Sequence, residues 1–325
     1  MDHPYQNLTP DLVLDAVESM GLVSDQRIFP LNSYENRVYQ IGIEDGVPLI
    51  AKFYRPERWS NDAILEEHSY TKQLLDRDIS VVAPTDYDGK TLHEYQGYRF
   101  ALFKRQGGYA PEVDIPDTIF RIGRNIGRIH QAGGTHTFEH RRSFSIKLWG
   151  EASRDFLLEN KFIPESLLPA YETLSADLIK KMHIIWDQNP FSPIKLHGDC
   201  HLSNILWRDD VAHFVDFDDC ANGPAIQDVW LMLSGDRMQQ NGQLIEFVEG
   251  YEEFYEFDTR QLNLIETLRT LRMMHYAAWL ARRWTDPAFP MHFPWFNTER
   301  YWSQHILELR EQFAALDEPA LRIAP

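Results

Sequence analysis

Residues 194–219, IKLHGDCHLSNILWRDDVAHFVDFDD, constrain this chain more than any other stretch of it. Two apolar runs there end in polar turns, and reactive side chains are usually held where apolar segments end. The turns carry the carboxylates of Asp199 and Asp216 and the amide of Asn204. Hard oxygen groups of this kind are the ligands that Mg²⁺ prefers. The stretch therefore predicts a site that holds a divalent cation.

Length and charge bound the rest of the chain. With 325 residues, 43% of them hydrophobic, it is long enough for two lobes with an ample core. The net charge of −17, from 32 basic and 49 acidic residues, opposes binding to nucleic acid phosphates and docking on anionic lipid. We therefore expect neither nucleic acid nor a membrane as a partner.

Cysteine use and the N-terminal residues indicate the compartment. Cys200 and Cys220 are too few for a disulfide framework, which favours a reducing environment. The start, MDHPYQNL, lacks the basic-then-apolar pattern of a signal peptide, and no apolar run approaches the length of a membrane span. We expect a soluble, cytoplasmic protein.

Residues 1–105 predict a β-rich lobe. Apolar patterning predicts helices over 10–20 and from Ser60 onward, and strands at 37–43, 48–54, 81–84 and 98–104. Lys52 lies inside the apolar strand 48–54, which is unusual for a lysine. Two interpretations stay open: a functional lysine, or an exposed lysine on an edge strand.

Two further features of this lobe have alternative interpretations. The loop 31–36, LNSYEN, is rich in turn-forming residues whose backbone N–H groups could hold phosphate. It has no GxGxxG pattern, so a plain turn is the alternative. Glu66 and Glu67 follow the first turn of the helix that opens at Ser60, and one of them could reach Lys52. The alternative there is a pair of solvated carboxylates.

Residues 106–325 predict a mainly helical lobe that follows a hinge at 106–108. Helices are predicted at 117–133, 154–161, 174–188, 225–234, 243–254 and 261–284. Gly123 and Gly127, one turn apart, would let another helix approach closely. His130 is predicted to be packed at a helix end, and Asp228 to anchor hydrogen bonds. The Pro/aromatic segment 287–296 either caps the core or walls a substrate cleft.

The order of the polar residues favours phosphoryl transfer. That reaction needs a lysine on the nucleotide phosphates, a carboxylate near the attacking hydroxyl, and metal-binding oxygens. Lys52, Glu67, Asp199, Asn204 and Asp216 supply these groups in that order. His197, Asp199 and Asn204 also satisfy the kinase pattern H-x-D-x-x-x-x-N.

Other functions remain open on the residues alone. A metallohydrolase could use His197, Asp199, Cys200 and His201 as ligands, although further histidines at defined spacings are absent from the sequence. An inactive kinase-like scaffold would need one essential polar group to be missing, and none is. For Cys200 a packed thiol is expected, since no partner base is identifiable.

Several long strings in the sequence resemble a known family. HGDCHLSNILW with FVDFDD, and LNSYENRVYQ with KFYRPERW and ILEEH, are similar to bacterial stress-response kinases. These kinases lie in the aminoglycoside phosphotransferase/choline kinase-like branch of the protein-kinase-like fold. The resemblance continues through NGPAIQDVW, YEEFYEFDT and DPAFPMHFPW, and so covers nearly the whole chain. It implies a bilobal α+β fold, with a β-rich N-lobe and a mainly helical C-lobe.

The same resemblance implies an activity and roles for particular residues. It implies a monomeric, ATP- and Mg²⁺-dependent serine/threonine protein kinase of the bacterial cytoplasm, linked to envelope and oxidative stress protection. By position, Asp199 matches the catalytic proton acceptor, and Asn204 and Asp216 match the Mg²⁺ ligands. Ser33 matches an ATP-contacting residue, Lys52 the strand lysine, Glu67 its helix partner and Asp228 the brace of the catalytic loop.

Two departures from ordinary protein kinases leave the acceptor open. NSYEN replaces a glycine-rich loop, and Asp218 lies too close to Pro224 for a long activation segment. The whole-chain resemblance implies a protein Ser/Thr acceptor. The wider branch also contains small-molecule kinases of the aminoglycoside, choline or homoserine type, and an acidic, aromatic second lobe could hold a cationic metabolite.

Overall fold

The computed structural model describes residues 3–323. Residues 1–2 and 324–325 lie outside the described residues; they include the first two residues of MDHPYQNL and the outer ends of both predicted lobes. The first lobe carries most of its strands in one sheet. Its elements are α1 (Pro10–Glu18), β1 (Ser24–Pro30), β2 (Arg37–Ile43), β3 (Leu49–Phe53), α2 (Asn61–Leu75), β4 (His93–Tyr95) and β5 (Tyr98–Lys104).

The sheet of the first lobe is antiparallel, with the order β1-β2-β3-β5-β4. Strand β3 is therefore central, and Lys52 stands opposite Val38 and Ala101. Ala51 and Phe53 are buried in the apolar cluster that includes α1. Because successive side chains of a strand point to opposite faces, Lys52 faces the other side, towards α2. The edge-strand interpretation of Lys52 is wrong.

The second lobe is mainly helical. Its helices are α3 (Thr118–Gly133), α4 (Ala152–Glu159), α5 (Leu168–Gln188), α6 (Gln227–Trp230), α7 (Arg237–Tyr251), α8 (Ile265–Arg282), α9 (Ala288–His292) and α10 (Glu299–Ala315). Its short strands are β6 (Ile194–Leu196), β7 (Ile205–Arg208), β8 (Val211–Phe214) and β9 (Ala221–Gly223). A π-helical turn, Lys147–Glu151, precedes α4, and 3₁₀ turns lie at Leu202–Asn204, Phe217–Asp219 and Thr259–Leu264.

Two antiparallel strand pairs hold residues 194–219 in place. Strand β6 pairs with β9, and β7 pairs with β8. The polar turn after β6 and the acidic run after β8 are therefore held by short hydrogen-bonded ladders. Val82 N–H donates to the carbonyl of Phe214 at 3.0 Å, which ties the first lobe to the β7–β8 hairpin.

Helices α3 and α7 approach each other closely at glycines. A Cβ on Gly123 would lie 2.1 Å from the carbonyl oxygen of Phe247, and one on Gly127 would lie 2.5 Å from that of Tyr251. No side chain fits in such a gap, so the predicted close approach is confirmed. His130 is fully buried and makes a 2.8 Å hydrogen bond with the Tyr251 hydroxyl, as a packed histidine should.

The second lobe has two apolar clusters. One surrounds α3, α7 and the β7–β8 hairpin, and the other surrounds α5, α8 and α10. Phe289, Phe293 and Phe296 are buried in the latter, so the Pro/aromatic segment caps a core. Among residues 3–323, no helix combines the length and apolarity that crossing a bilayer requires.

Some predicted elements differ from those observed. Residues 81–84 form only isolated bridges, to Phe214 and Phe103, because they cross between two sheets. Of the predicted helix 225–234 only Gln227–Trp230 is α-helical, and the chain turns at Gly235 with φ +83°. Helix α7 begins earlier than predicted because Asp236 and Gln239 form a capping box ahead of its apolar residues. Strand β1 and helix α10 were not predicted.

Candidate active site

Lys52 lies at the centre of a buried charge cluster. Its Nζ is 3.4 Å from Glu67 Oε1, 3.0 Å from Asp218 Oδ1 and 3.5 Å from Asp216 Oδ1. Burial alone would lower the pKa of Lys52, but the carboxylates of Asp218 and Glu67 outweigh it and hold that pKa well above its ordinary value. Lys52 is therefore a fixed cation inside the cleft.

Helix α2 places two neighbouring glutamates in different roles. Ser60 caps the helix by accepting from Ala63 N–H at 3.1 Å, and Glu67 is buried against Lys52. Burial raises the pKa of Glu67, although the charge of Lys52 opposes the rise. Glu66 instead accepts backbone N–H bonds from residues 139–141. The alternative of two solvated carboxylates is therefore wrong.

The loop that carries Asp199 is braced from beneath. Asp228 is fully buried and accepts from the backbone N–H groups of His197, at 2.7 Å, and Gly198, at 2.8 Å. Its Oδ2 also lies 3.2 Å from His130 Nε2. Gly198 has φ +88°, and a Cβ there would lie 2.1 Å from the carbonyl oxygen of Asp219. Asp228 is thus the hydrogen-bond anchor that the sequence predicted.

Asp199 is held as a carboxylate. Its Oδ1 accepts from Arg272 Nη1 at 2.7 Å, and its Oδ2 lies 3.5 Å from His201 Nε2. Burial would raise the pKa of Asp199, but the hydrogen bond from His201 and the charge of Arg272 hold it well below its usual range. A carboxylate in this state can accept a hydrogen bond from a hydroxyl group.

Asn204 and Asp216 have the chemistry that a divalent cation needs. The amide nitrogen of Asn204 donates to the carbonyl of Asp199 at 2.9 Å, which leaves its amide oxygen as the atom available for a ligand. Asp216 adopts φ +60°, and its half-exposed carboxylate lies beside Lys52. One carboxylate and one amide oxygen fit Mg²⁺, which commonly takes its other ligands from phosphates and water.

A cavity of about 380 Å³ lies between the lobes. The volume falls in the range of small-molecule and cofactor sites. Apolar side chains such as Val38, Ile50 and Leu206 line one part of it, and such a surface suits the flat ring of a nucleobase. The predicted residues that also line this cavity are Ser33, Lys52, Glu67, Asn204 and Asp216.

Asp199 lines a second cavity of about 220 Å³, here called the acceptor cavity. Arg272, Trp149 and Tyr276 are among its other lining residues. Asn204 lines the first cavity and donates to the carbonyl of Asp199, which lines the second, so the two cavities adjoin at this hydrogen bond. The structure therefore brings all six predicted residues to adjoining spaces, five in the first and Asp199 in the second.

Sequence analysis gave no role in phosphoryl transfer to Arg272, Asp218, Arg58 or Glu35. Arg272 contacts Asp199, and Asp218 bridges Lys52 and Arg58. Glu35 accepts from Trp279 Nε1 at 2.6 Å and from Arg283 Nη2 at 2.7 Å. Arg283 of the second lobe thus binds a loop of the first lobe. The acidic run VDFDD was the one sequence signal for Asp218.

The metallohydrolase interpretation is contradicted by geometry. Across residues 3–323, His, Cys, Asp and Glu side chains form no group of three that could hold a metal ion. His197 is buried, and its Nε2 donates to the carbonyl of Val215 at 2.8 Å. Burial raises the pKa of the Cys200 thiol well above its ordinary value, so it is a packed thiol as expected.

Comparison with known sequences gives long matches. Residues 27–265 match the phosphotransferase enzyme family. The chain is 44% identical to stress response kinase A of Escherichia coli (strain K12), over 99% of this chain and 97% of that protein. It is 43% identical to the serine/threonine protein kinase RdoA of Salmonella typhimurium, over the same shares of each chain.

Solved structures share the fold at low sequence identity. A structure of amicoumacin kinase with AMP-PNP, Ca²⁺ and amicoumacin has a TM-score of 0.70 at 20% identity, covering 91% of this chain and 92% of that one. A microcompartment-associated aminopropanol kinase has a TM-score of 0.68 at 16% identity, covering 95% and 99%. The expected bilobal α+β, protein-kinase-like fold is confirmed. The chain is a kinase and belongs to the phosphotransferase enzyme family.

Proposed function

We propose that the chain is an ATP- and Mg²⁺-dependent serine/threonine protein kinase that acts in bacterial envelope and oxidative stress protection. The observation that carries this is the junction of two cavities at Asn204 and Asp199. One has an apolar wall and a buried lysine for a nucleotide, and the other has an ionised carboxylate for a hydroxyl. In-line phosphoryl transfer requires this pairing of spaces.

In the nucleotide cleft, each residue has a physical role. Lys52 offers a fixed positive charge to phosphate oxygens, and Glu67 holds its ammonium group in place. Ser33 and the backbone of the loop 31–36 cover the phosphates where other kinases have a glycine-rich loop. Asn204 and Asp216 would hold Mg²⁺, which neutralises charge on the transferred phosphoryl group when bound.

In the acceptor cavity, Asp199 is the proposed catalytic residue. Its carboxylate accepts a hydrogen bond from the acceptor hydroxyl and takes its proton as the oxygen attacks the γ-phosphorus of ATP, while the bond from that phosphorus to the departing ADP breaks. Arg272 keeps this carboxylate ionised and fixes one of its oxygens. Asp228 holds the main chain on which Asp199 stands, so the carboxylate is positioned before the acceptor arrives.

The choice of a protein acceptor rests on the relatives that match this chain over nearly its full length. One of them is named a serine/threonine protein kinase and others are named stress response kinases. The solved structures with the same fold are named for small-molecule kinases, so a small hydroxylated acceptor is the second candidate. We also propose a cytoplasmic monomer whose residues 1–105 and 106–325 close over the nucleotide, with neither nucleic acid nor membrane as a partner.

Two substitutions test the proposal. Asp199→Asn should lower kcat by roughly 10²–10⁴-fold, the usual contribution of a positioned base, while AMP-PNP affinity persists. Asp216→Asn should abolish the Mg²⁺ dependence of AMP-PNP binding in a calorimetric titration.

The phosphoryl transfer assay offers labelled ATP with generic protein substrates, and hydroxylated metabolites in parallel. Near-normal turnover by Asp199→Asn would refute the base, and transfer to metabolites alone would refute the protein acceptor.

A further inference from the structure

A cavity of about 360 Å³ adjoins the acceptor cavity and is lined by four arginines. We call it the arginine cavity, and its arginines are Arg58, Arg142, Arg282 and Arg283. The two cavities share walls, so a molecule in one could extend into the other. The shared lining residues are Arg58, Trp149, Asp219, His275 and Trp279.

Two of the four arginines are neutralised within the fold. Arg58 is paired with Asp218 and Asp219, the latter at 2.5 Å. Arg283 is paired with Glu35 at 2.7 Å. These two guanidinium groups are therefore structural, and they use up carboxylates that could otherwise offset the rest of the cluster.

The other two arginines, Arg142 and Arg282, are held by aromatic rings rather than by carboxylates. Within residues 3–323, no carboxylate forms an ion pair with Arg142 or Arg282. The guanidinium of Arg142 lies 4.8 Å from the ring of Trp59. That of Arg282 lies 4.8 Å from the ring of Phe156 and donates to the Ala152 carbonyl at 2.9 Å. Aromatic contacts hold both cations in place and leave donors free for a ligand.

Burial and repulsion between the arginines lower the pKa values of Arg142 and Arg282. Burial and the charge of Arg58 lower the pKa of Arg142, although the carboxylate of Asp219 opposes the fall. Burial and the charges of Arg142 and Arg283 lower the pKa of Arg282. Like charges at close range cost free energy unless an anion compensates them. The chain carries a net charge of −17, so this local cluster runs against its overall balance.

The remaining wall does little to compensate the charge. Burial lowers the pKa of His275 to about 3, so this histidine is neutral. The indole N–H of Trp149 is buried without a hydrogen-bond partner among the described residues and is a further unused donor. Of the two carboxylates in the lining, Asp219 is held by Arg58, and Glu57 is exposed.

We propose that the arginine cavity binds an anionic group, a carboxylate or a phosphate, that the phosphoryl acceptor carries near its reactive hydroxyl. This inference rests on the proposed function, because it gives the acceptor cavity its substrate. It favours an anionic over a cationic acceptor, since Arg142 and Arg282 add positive charge to a cavity that adjoins the one lined by Asp199. For a protein acceptor, the site selects serines or threonines with acidic neighbours.

Matched peptides test the inference. The acceptors are serine peptides that differ only in glutamate, glutamine or lysine beside the serine. The wild-type chain should favour the glutamate peptide over the glutamine peptide by about tenfold in kcat/KM, equivalent to about 1.4 kcal/mol. In Arg142→Gln/Arg282→Gln the ratio should fall towards one. Arg142→Lys/Arg282→Lys should retain part of the ratio, and the remote control Arg310→Gln should retain all of it.

A binding arm separates this inference from the proposed function. Fluorescein-labelled peptides with alanine in place of serine report binding by anisotropy without any phosphoryl transfer. Preferential binding of the glutamate peptide without transfer to its serine form supports the cavity and overturns the protein kinase. Transfer without acidic preference, or a ratio that survives the double glutamine variant, overturns the cavity alone.

A small-molecule arm identifies the source of the anion. Hydroxy acids and hydroxy amines are offered as acceptors to the wild-type chain and to the double glutamine variant. Transfer to a hydroxy acid that the variant loses supports the cavity and places the anion on a metabolite. A preference for hydroxy amines overturns the inference.

Discussion

At the scale of single residues, Arg272 sets the state of the proposed base. The hydrogen bond from His201 and the charge of Arg272, whose Nη1 lies 2.7 Å from Asp199 Oδ1, hold the pKa of that carboxyl below its usual range. A general base must be deprotonated to act, so the contact keeps Asp199 competent at mildly acidic pH. Arg272 is therefore a positioning residue that acts through Asp199.

Arg272→Gln should raise the pKa of Asp199 towards its ordinary value. A raised pKa leaves more Asp199 protonated at low pH, so the acidic limb of the kcat/KM profile should move to higher pH. Arg272→Lys should keep most of the original profile because it keeps the charge. Rates measured from pH 3 to 7 in constant-ionic-strength buffer check this, because the ordinary pKa of an aspartate is about 3.9. An unchanged acidic limb in Arg272→Gln would show that another group controls it.

Site residues that lie close together in the chain could be predicted from a short motif. Site residues that are brought together only by folding could not. Asp199 and Asn204 are close in the chain, and their spacing alone predicted a shared site. Arg272 is 73 residues away on a long helix, where an arginine resembles any solvated helix cation. Glu35 was hidden in a turn-like loop for the same reason. The roles predicted for the site residues stay predictions.

At the scale of elements, the contact between α3 and α7 depends on bare glycine Cα atoms. A Cβ at Gly127 would lie 2.5 Å from the carbonyl oxygen of Tyr251, which belongs to rigid helical backbone. The two helices would have to separate to admit even one methyl group. The same contact supports His130, whose ring touches both Tyr251 and Asp228, so it also supports the brace of the catalytic loop.

Gly127→Ala should destabilise the chain by about 1–3 kcal/mol through overpacking. Gly242→Ala is the matched control, because Gly242 lies in α7 and a Cβ added to it would have nothing within 4 Å. An exposed helical glycine replaced by alanine should gain about 0.5–1 kcal/mol. Urea unfolding followed by circular dichroism measures both changes. Equal midpoints for Gly127→Ala and the wild type would disprove the tight contact.

Elements with clear periodicity were predictable, and those fixed by caps or tertiary contacts were not. The alternating strands Arg37–Ile43 and Tyr98–Lys104 match the predicted bounds. Strand β1, SDQRIFP, has no such alternation and exists because β2 offers it an edge. Helix α7 begins in a polar run whose capping box an apolar pattern cannot detect.

At the scale of the whole molecule, buried histidines couple stability to pH. Burial lowers the pKa of His68 to about 3 and that of His305 to about 4. These groups lie in different lobes, on α2 and α10. An unfolded histidine has a pKa of about 6.5, so the unfolded chain binds more protons below that pH. Protonation therefore favours unfolding.

The free energy of unfolding should fall as pH drops from 6.5 towards 4 and be less sensitive above 6.5. Each such histidine contributes a slope of about 1.4 kcal/mol per pH unit inside this window. Urea titrations at half-unit steps of pH measure the slope. His305→Phe removes one titrating group, so its slope should be shallower than that of the wild type. A slope identical in both chains would exclude His305 as a source.

One connection between the lobes is a clasp on the loop 31–36. Glu35 belongs to that loop and accepts bonds from Trp279 and Arg283 on the second lobe. Nearby, Arg55 of the first lobe pairs with Asp286 at 3.0 Å. Ser33 and Asn36 of this loop line the cavity proposed to bind nucleotide, whereas Glu35 and Arg283 do not line it. The affinity for nucleotide should therefore depend on side chains outside that cavity.

Glu35→Gln and Arg283→Gln should each weaken AMP-PNP binding by about tenfold, or about 1.4 kcal/mol, because either change releases the loop. The double variant should be no weaker than either single variant, since the two side chains act through one contact. Isothermal titration calorimetry gives the four affinities, and Glu44→Gln, an exposed glutamate of the same lobe, is the control. Additive losses in the double variant would mean that Glu35 and Arg283 act separately and that no clasp couples the lobes.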